Sequence, residues 1–233
     1  MGSKITFFGH ATIGIETEDF SLIVDPYFKG NGATQTKAEE VQADYLLVTH
    51  GHGDHLGDAI EISKRTGAKV ICNTEIGDWL DKQGVETSML QVGGSLQFPF
   101  GHLRMTFAVH GSSLPDDSYG GLAAGFLLTT LQNEKIYLAG DTGLFGDMAL
   151  IGEEGIDLAM LPIGGLYTMD PADALRALKL LKPRTVIPIH YNTFGRIKQD
   201  AEKWKEKVEA ETNTKAAILK PGESFEMTQW LIL

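Results

Sequence analysis

The run Thr49-His50-Gly51-His52-Gly53-Asp54-His55 places three histidines and one carboxylate within six consecutive positions, in a chain that has seven histidines among 233 residues. Three more groups of the same chemistry, His110, Asp141 and His190, lie downstream, each after a short apolar run: MTFAV, IYLAG and TVIPI, as YLLVT precedes His50. Imidazole nitrogens and carboxylate oxygens without a thiolate suit Zn²⁺ first, with Mn²⁺ and Fe²⁺ as alternatives. Such a set exceeds one tetrahedral ion and matches two ions that share a carboxylate. Spacing assigns His50 and His52, two apart in an extended loop, to one ion together with His110. Asp54 and His55, at a turn into a helix, fall to a second ion with His190, and Asp141 lies between. Gly51 and Gly53 are expected to permit that tight alternation by their backbone freedom. A lone histidine after a strand is ordinarily a satisfied polar residue. The same placement at the ends of several buried strands argues for one convergent site.

The elements that carry these groups are strands and turns in the first half: 4–8, 11–16 and 21–24, with 17–20 as a hairpin connection. Tyr45–Thr49 is a short apolar run, the mark of a strand buried on both faces. A helix is expected over 58–65, a strand at 69–72, a helix at 74–83 ending at Gly84, and strands at 95–98 and 103–109. The second half repeats the plan with strands at 122–130, 135–139 and 157–161. Asp170-Pro171 then starts a helix to Leu181 as N-cap and first helical residue. A strand at 185–189, an amphipathic helix at 197–211 and strands at 216–219 and 224–227 close the chain. FSLIVDPYF (20–28) and KIYLAGDTGLF (135–145) are both strands ending in an Asp turn, each followed by another buried strand. The chain therefore reads as one α/β domain over 1–233 with two similar halves, about 1–118 and 119–233.

Composition sets limits. Twenty basic against thirty-one acidic residues give a net charge of −11 with no basic run, which argues against a broad nucleic-acid surface. There is no 18-residue apolar stretch to span a membrane, and residues 1–15 show no signal-peptide pattern, so the cytoplasm is the expected compartment. The one cysteine, Cys72, sits in an apolar run and reads as a buried small hydrophobe. His102, in FPFGHLR, reads as a surface turn residue.

THGHGDH resembles the His-x-His-x-Asp-His signature of the metallo-β-lactamase superfamily, and VHGSS, AGDTG and IPIHYNTF fall in that family's order. GHAT (9–12), IVDPYF (23–28) and LPIGGLYTMDP (161–171) are similar to the bacterial metal-dependent hydrolases of unassigned substrate. That group is itself similar to ascorbate-6-phosphate lactonases and N-acyl-phosphatidylethanolamine phospholipase D. The resemblance covers essentially the whole chain and implies a four-layer α/β/β/α sandwich with two metal ions at one edge. It implies the same ligands residue by residue: His50, His52 and His110 on the first ion, Asp54, His55 and His190 on the second, Asp141 on both.

The expected function is a hydrolase that uses a metal-bridging hydroxide on a small ester, lactone or phosphodiester, with Asp54 also orienting the nucleophile. Competing readings are a mono-iron dioxygenase or oxidoreductase, a nuclease of the same superfamily, and a non-catalytic metal-binding protein. Retention of His52 argues against a diiron oxygenase, and the intact ligand set argues against a non-catalytic protein. His10, Ser112, Tyr167 and Asn192 are expected to face substrate, and Asp25 to accept a proton from a ligand histidine. Arg184, Arg196 and Lys198 are candidates to hold a single phosphate. The partners are a small-molecule substrate and, at most, further copies of the chain as a homo-oligomer.

Overall fold

The computed structural model describes residues 2–227. The first sheet holds β1 (Lys4–Gly9), β2 (Thr12–Glu16), β3 (Ser21–Val24), β4 (Tyr45–Leu47), β5 (Lys69–Asn73) and β6 (Thr87–Leu90). The second holds β7 (Ser95–Phe98), β8 (Gly101–Phe107), β9 (Ala124–Thr130), β10 (Lys135–Leu138), β11 (Leu158–Pro162), β12 (Thr185–Ile189) and β13 (Lys215–Ala216). A last strand, β14 (Ser224–Glu226), returns to the first sheet and pairs antiparallel with β1. The orders are β14-β1-β2-β3-β4-β5-β6 and β7-β8-β9-β10-β11-β12-β13. In each, three antiparallel pairings are followed by three parallel ones. In that common order β3 corresponds to β10, and β4 to β11. Sheet membership changes between Leu90 and Ser95, so the sheets and the sequence halves are different partitions of the chain.

Alternation along the strands builds the layers. Leu22, Val24, Ile136, Leu138, Leu158 and Met160 point between the sheets and form one core with Ile5, Phe7 and Phe126. Their neighbours Tyr137, Ala139, Ala159 and Leu161 point outward, against helices α5 (Pro171–Leu181) and α6 (Ala201–Glu211). On the other side Ile23, Leu46, Val70 and Cys72 pack on α1 (Gly53–Leu56), α2 (Ala59–Thr66) and α3 (Thr74–Asp81). Helix, sheet, sheet, helix is the resulting stack. The inner parallel strands β4, β5, β11 and β12 are buried on both faces, which is why they read as unbroken apolar runs, whereas the edge strands β6 and β13 are not.

Several details differ from the sequence reading. The helix expected over 197–211 is split: Gly195–Ile197 is a single 3₁₀ turn, and α6 begins only after Asp200, whose carboxylate accepts the Lys203 N–H. The strand expected at 216–219 is just β13, and β6, α1 and α4 (Met148–Gly152) are additional. His102 lies within β8 opposite Thr129 instead of in a turn. Asp58 does precede α2, but its carboxylate binds the Phe28 and Lys29 N–H groups and not the helix.

Candidate metal centre

All seven candidate ligands sit just beyond strand C-termini at one edge of the sandwich. His50 follows β4, His52 is the N-cap of α1, Asp54 and His55 form its first turn, and His110, Asp141 and His190 follow β8, β10 and β12. Three sets of ligand atoms each lie within 4.8 Å of one another: His50, His52 and His110; His50, His55 and Asp141; and His10, Asp54, His55 and His190. The carboxylate of Asp141 joins the outer sets, with Oδ2 3.0 Å from His190 Nε2 and 3.5 Å from His110 Nε2, and Oδ1 3.3 Å from His55 Nε2.

Asp25, at the end of β3 and 1% exposed, sets the histidines' tautomers. Its Oδ1 accepts the Thr49 N–H at 2.8 Å, and its Oδ2 accepts both the Thr49 hydroxyl and His55 Nδ1–H, each at 2.8 Å. Since the Thr49 proton is committed to Asp25, its oxygen accepts from His50 Nδ1–H at 3.0 Å. In their neutral forms His50 and His55 therefore both turn an unprotonated Nε2 toward the cluster, the form a metal requires. Thr49, which the sequence reading passed over, is the relay.

The donor set fits divalent cations on an observation independent of the ligand types. His55 Nε2 and Asp141 Oδ1 are buried without a hydrogen-bond partner, 3.3 Å apart, and both are acceptors once His55 Nδ1–H is given to Asp25. Two facing acceptors call for positive charge between or beside them. The titration tendencies show the same demand for positive charge, which without an ion is met by a proton on His55 Nε2. Burial alone would lower His55, but the Asp141 and Asp25 carboxylates outweigh it and raise its pKa well above the ordinary histidine value. Burial would raise Asp141, yet His55 and His190 hold it well below the ordinary carboxylate range. His50 and His110 are pushed down by burial and stand neutral, ready to ligate.

Asp54 faces a cavity of about 250 Å³ lined by His52, Asp54, His110, Asp141, Tyr167, His190 and Phe194. Of the residues expected to face substrate, the cavity brings in Tyr167 alone. His10 is fully buried in the β1–β2 turn; its Nε2 lies 3.1 Å from Asp54 Oδ2, its Nδ1 3.0 Å from Thr193 Oγ1, and its carbonyl accepts the His190 N–H at 2.7 Å. Burial pushes its pKa down to about 4, so the ring is neutral and donates Nε2–H to the carboxylate. Ser112 Oγ accepts the Gly51 N–H and donates to the Gly120 carbonyl, bracing the histidine-rich turn. Asn192 closes its own loop, bonding both the N–H and the carbonyl of Gln199. Phe194 was missed; its one signal is an exposed aromatic four residues past His190.

The glycines act differently from expectation. Gly51 has no positive φ, but a Cβ there would stand 2.8 Å from the Ser113 carbonyl oxygen, so its role is close approach; at Gly53 a Cβ meets nothing within 4 Å. Arg184 precedes β12, at the end opposite His190, beside Asp157 at 3.4 Å. Arg196 and Lys198 are exposed and outside the cavity wall. The phosphate role expected for these three has no support in their placement. A larger groove, about 440 Å³ between α5 and α6, mixes lysines with Asp200 and Glu211 and contains none of the candidate ligands. Chemistry, not size, selects the site.

Residues 21–191 match the family described as beta-lactamase superfamily domain. A UPF0173 metal-dependent hydrolase of Desulforamulus reducens is 47% identical over 225 residues, spanning 94% of this chain and 98% of the relative. Igni18, a metallo hydrolase of the archaeon Ignicoccus hospitalis, is similar in structure with a TM-score of 0.89 and 37% identity, covering 98% of this chain and 100% of its own. CmlA, a diiron β-hydroxylase of Streptomyces venezuelae, has a TM-score of 0.74 at 15% identity, over 97% of this chain and 54% of its own, a likeness of fold alone.

Proposed function

The chain belongs to the beta-lactamase superfamily domain family and, like its 47%-identical relative, is a metal-dependent hydrolase; from that premise we propose that it uses two divalent ions on a small ester, lactone or phosphodiester. The observation that carries the two-ion reading is Asp141, whose one oxygen lies within 3.5 Å of a histidine from each outer set. His50, His52 and His110 would hold one ion, Asp54, His55 and His190 the other, with Asp141 shared; Zn²⁺ suits the donors best, Mn²⁺ and Fe²⁺ next. Bound there, the ions supply a water whose pKa falls toward neutrality and a Lewis acid for the substrate's oxygen.

The side chains do the rest. Asp25 and Thr49 fix the rings, and His10 fixes Asp54. Burial would raise the Asp54 carboxyl, but the His10 hydrogen bond and the neighbouring histidines outweigh it and hold it well below the ordinary range. Such a weak base is better suited to orienting a water by hydrogen bond than to removing its proton at neutral pH. The deep placement of His55, Asp141 and His190, all within 3% exposure, keeps bulk water off the reacting centre.

The test is metal depletion. Chelator-stripped protein should be inactive toward a panel of esters, lactones and phosphodiesters and recover with Zn²⁺ or Mn²⁺. If metal-replete protein turns over no member of a broad panel, the hydrolase reading fails.

A further inference from the structure

We propose that the cavity takes an uncharged carboxylic ester or lactone whose apolar acyl group lies against Tyr167 and Phe194, while its carbonyl faces the ligand cluster. This assignment rests on the hydrolase reading above and names its substrate class. Apart from the candidate ligands, those two aromatic side chains make up the cavity's wall, and among the described residues no lysine or arginine contributes to it. A phosphorylated substrate would have only the ions to neutralise it, without the arginine or lysine partners that phosphate recognition ordinarily uses.

Both aromatics are held open to solvent by built loops. Tyr167 is 53% exposed and Phe194 39% exposed, beside a still more exposed Leu166. In the loop after β11, Gly165 and Leu166 both adopt positive φ, which turns Leu166 and Tyr167 outward. That loop closes through the Gly165 N–H to the Met169 carbonyl, and the Met169 N–H ties it to the Thr142 carbonyl beside Asp141. In the loop after β12 the Phe194 ring sits edge-on to His10, centroids 5.2 Å apart, and His10 is 4.1 Å from His190. Asn192, with positive φ, locks that loop to Gln199, and Gln199 Nε2 donates to the Gly164 carbonyl of the other loop. Hydrogen bonds thus fix two large apolar surfaces over the ligands, where water is the alternative neighbour. Exposed aromatics so held gain by covering an apolar group. The cavity of about 250 Å³ corresponds to roughly eight water volumes, which suits a short acyl chain.

The reaction balances as simple hydrolysis. The water oxygen bonds the acyl carbon, the acyl–oxygen bond breaks, one water proton leaves with the alcohol, and the other goes to solvent as the carboxylate forms.

The test uses the metal-loaded full chain with p-nitrophenyl acetate, butyrate and hexanoate, p-nitrophenyl phosphate and bis(p-nitrophenyl) phosphate. Wild type should show kcat/KM at least about tenfold higher for hexanoate than acetate, the difference lying mainly in KM. Tyr167→Ala and Phe194→Ala should each shrink the hexanoate-to-acetate ratio by about fivefold with the metal-to-protein ratio intact, and Phe194→Leu should restore much of it. Separately, calorimetry should show hexanoate binding the metal-loaded protein more tightly than acetate, a preference lost in Phe194→Ala. A flat chain-length profile, or a phosphate ester turned over in preference, overturns the proposal while leaving the hydrolase reading standing. Tighter hexanoate binding without turnover of any ester leaves the apolar wall standing and overturns the hydrolase reading.

Discussion

Replacing Asp25 by Asn removes a charge that touches no candidate ion directly, yet it should weaken metal binding sharply. Three donors converge on this carboxylate at 2.8 Å: the Thr49 N–H, the Thr49 hydroxyl and His55 Nδ1–H. An amide keeps one acceptor oxygen. With that oxygen at the Oδ2 position, the Thr49 N–H loses its acceptor and meets an NH₂ group. A buried donor left unpaired costs about 1–3 kcal/mol, and the two surviving bonds lose their charge assistance. In the opposite orientation His55 Nδ1–H and the Thr49 hydroxyl both lose theirs, which is worse. Either way the restraint on His55, and through Thr49 on His50, is weakened. Partners of this kind are worth about 10–100-fold in metal affinity, or about 1.4–2.8 kcal/mol, the same range as the lost hydrogen bond. Competition against a chromophoric chelator at fixed pH would read it, with circular dichroism to show that the chain is folded. Zn²⁺ affinity within twofold of wild type would refute the tautomer argument.

Asp141→Ala should abolish hydrolysis and lower the metal-to-protein ratio measured by elemental analysis; full activity at intact metal content would remove Asp141 from its shared position. His10→Ala should leave Asp54 without its buried donor and cost about 10–100-fold in affinity for the second ion, seen as loss of the weaker step in a metal titration. Gly51→Ala should destabilise by about 1–3 kcal/mol through contact with the Ser113 carbonyl. Gly53→Ala, in the first turn of α1 with open space, should be neutral or slightly stabilising, so equal denaturation midpoints for the two variants would contradict the packing. Burial pushes the Cys72 thiol up to about 12 from the ordinary thiol value of 9.0. Its contribution to stability is therefore complete below about pH 9 and lost as pH rises toward 12, and the native protein at pH 8 should resist thiol reagents until denatured.

The candidate ligand set was legible because His50, Asp141 and His190 follow β4, β10 and β12, strands buried on both faces that leave unbroken apolar runs, and His52, Asp54 and His55 crowd into the turn after His50. His110 follows β8, whose last residues alternate between buried and exposed. Helix α5 was equally legible, since Asp170 caps it through two N–H groups at 2.9 and 2.8 Å and Pro171 opens it. Strand β6 left no such trace, because all four of its residues are only half-buried and its pattern neither alternates nor runs apolar. The split before α6 was hidden because Ile197 and Trp204 are both buried and continue one helical stripe across the break. Long-range pairing set the remaining limit. His10 reaches Asp54 across 44 positions and Thr193 across 183, and Ser112 reaches Gly51 across 61. Local sequence cannot show that a polar side chain faces an interior partner instead of the substrate. Tyr167 stands exposed on its loop and lines the cavity, where facing substrate is the role proposed for it.

Whether two ions share this edge of the sandwich can be seen by anomalous diffraction from Zn²⁺-loaded crystals. Two peaks per chain are expected, one among His50, His52 and His110 and one among Asp54, His55 and His190, with the Asp141 carboxylate in contact with both. A single peak, or a second one away from Asp54, His55 and His190, would contradict the two-ion reading.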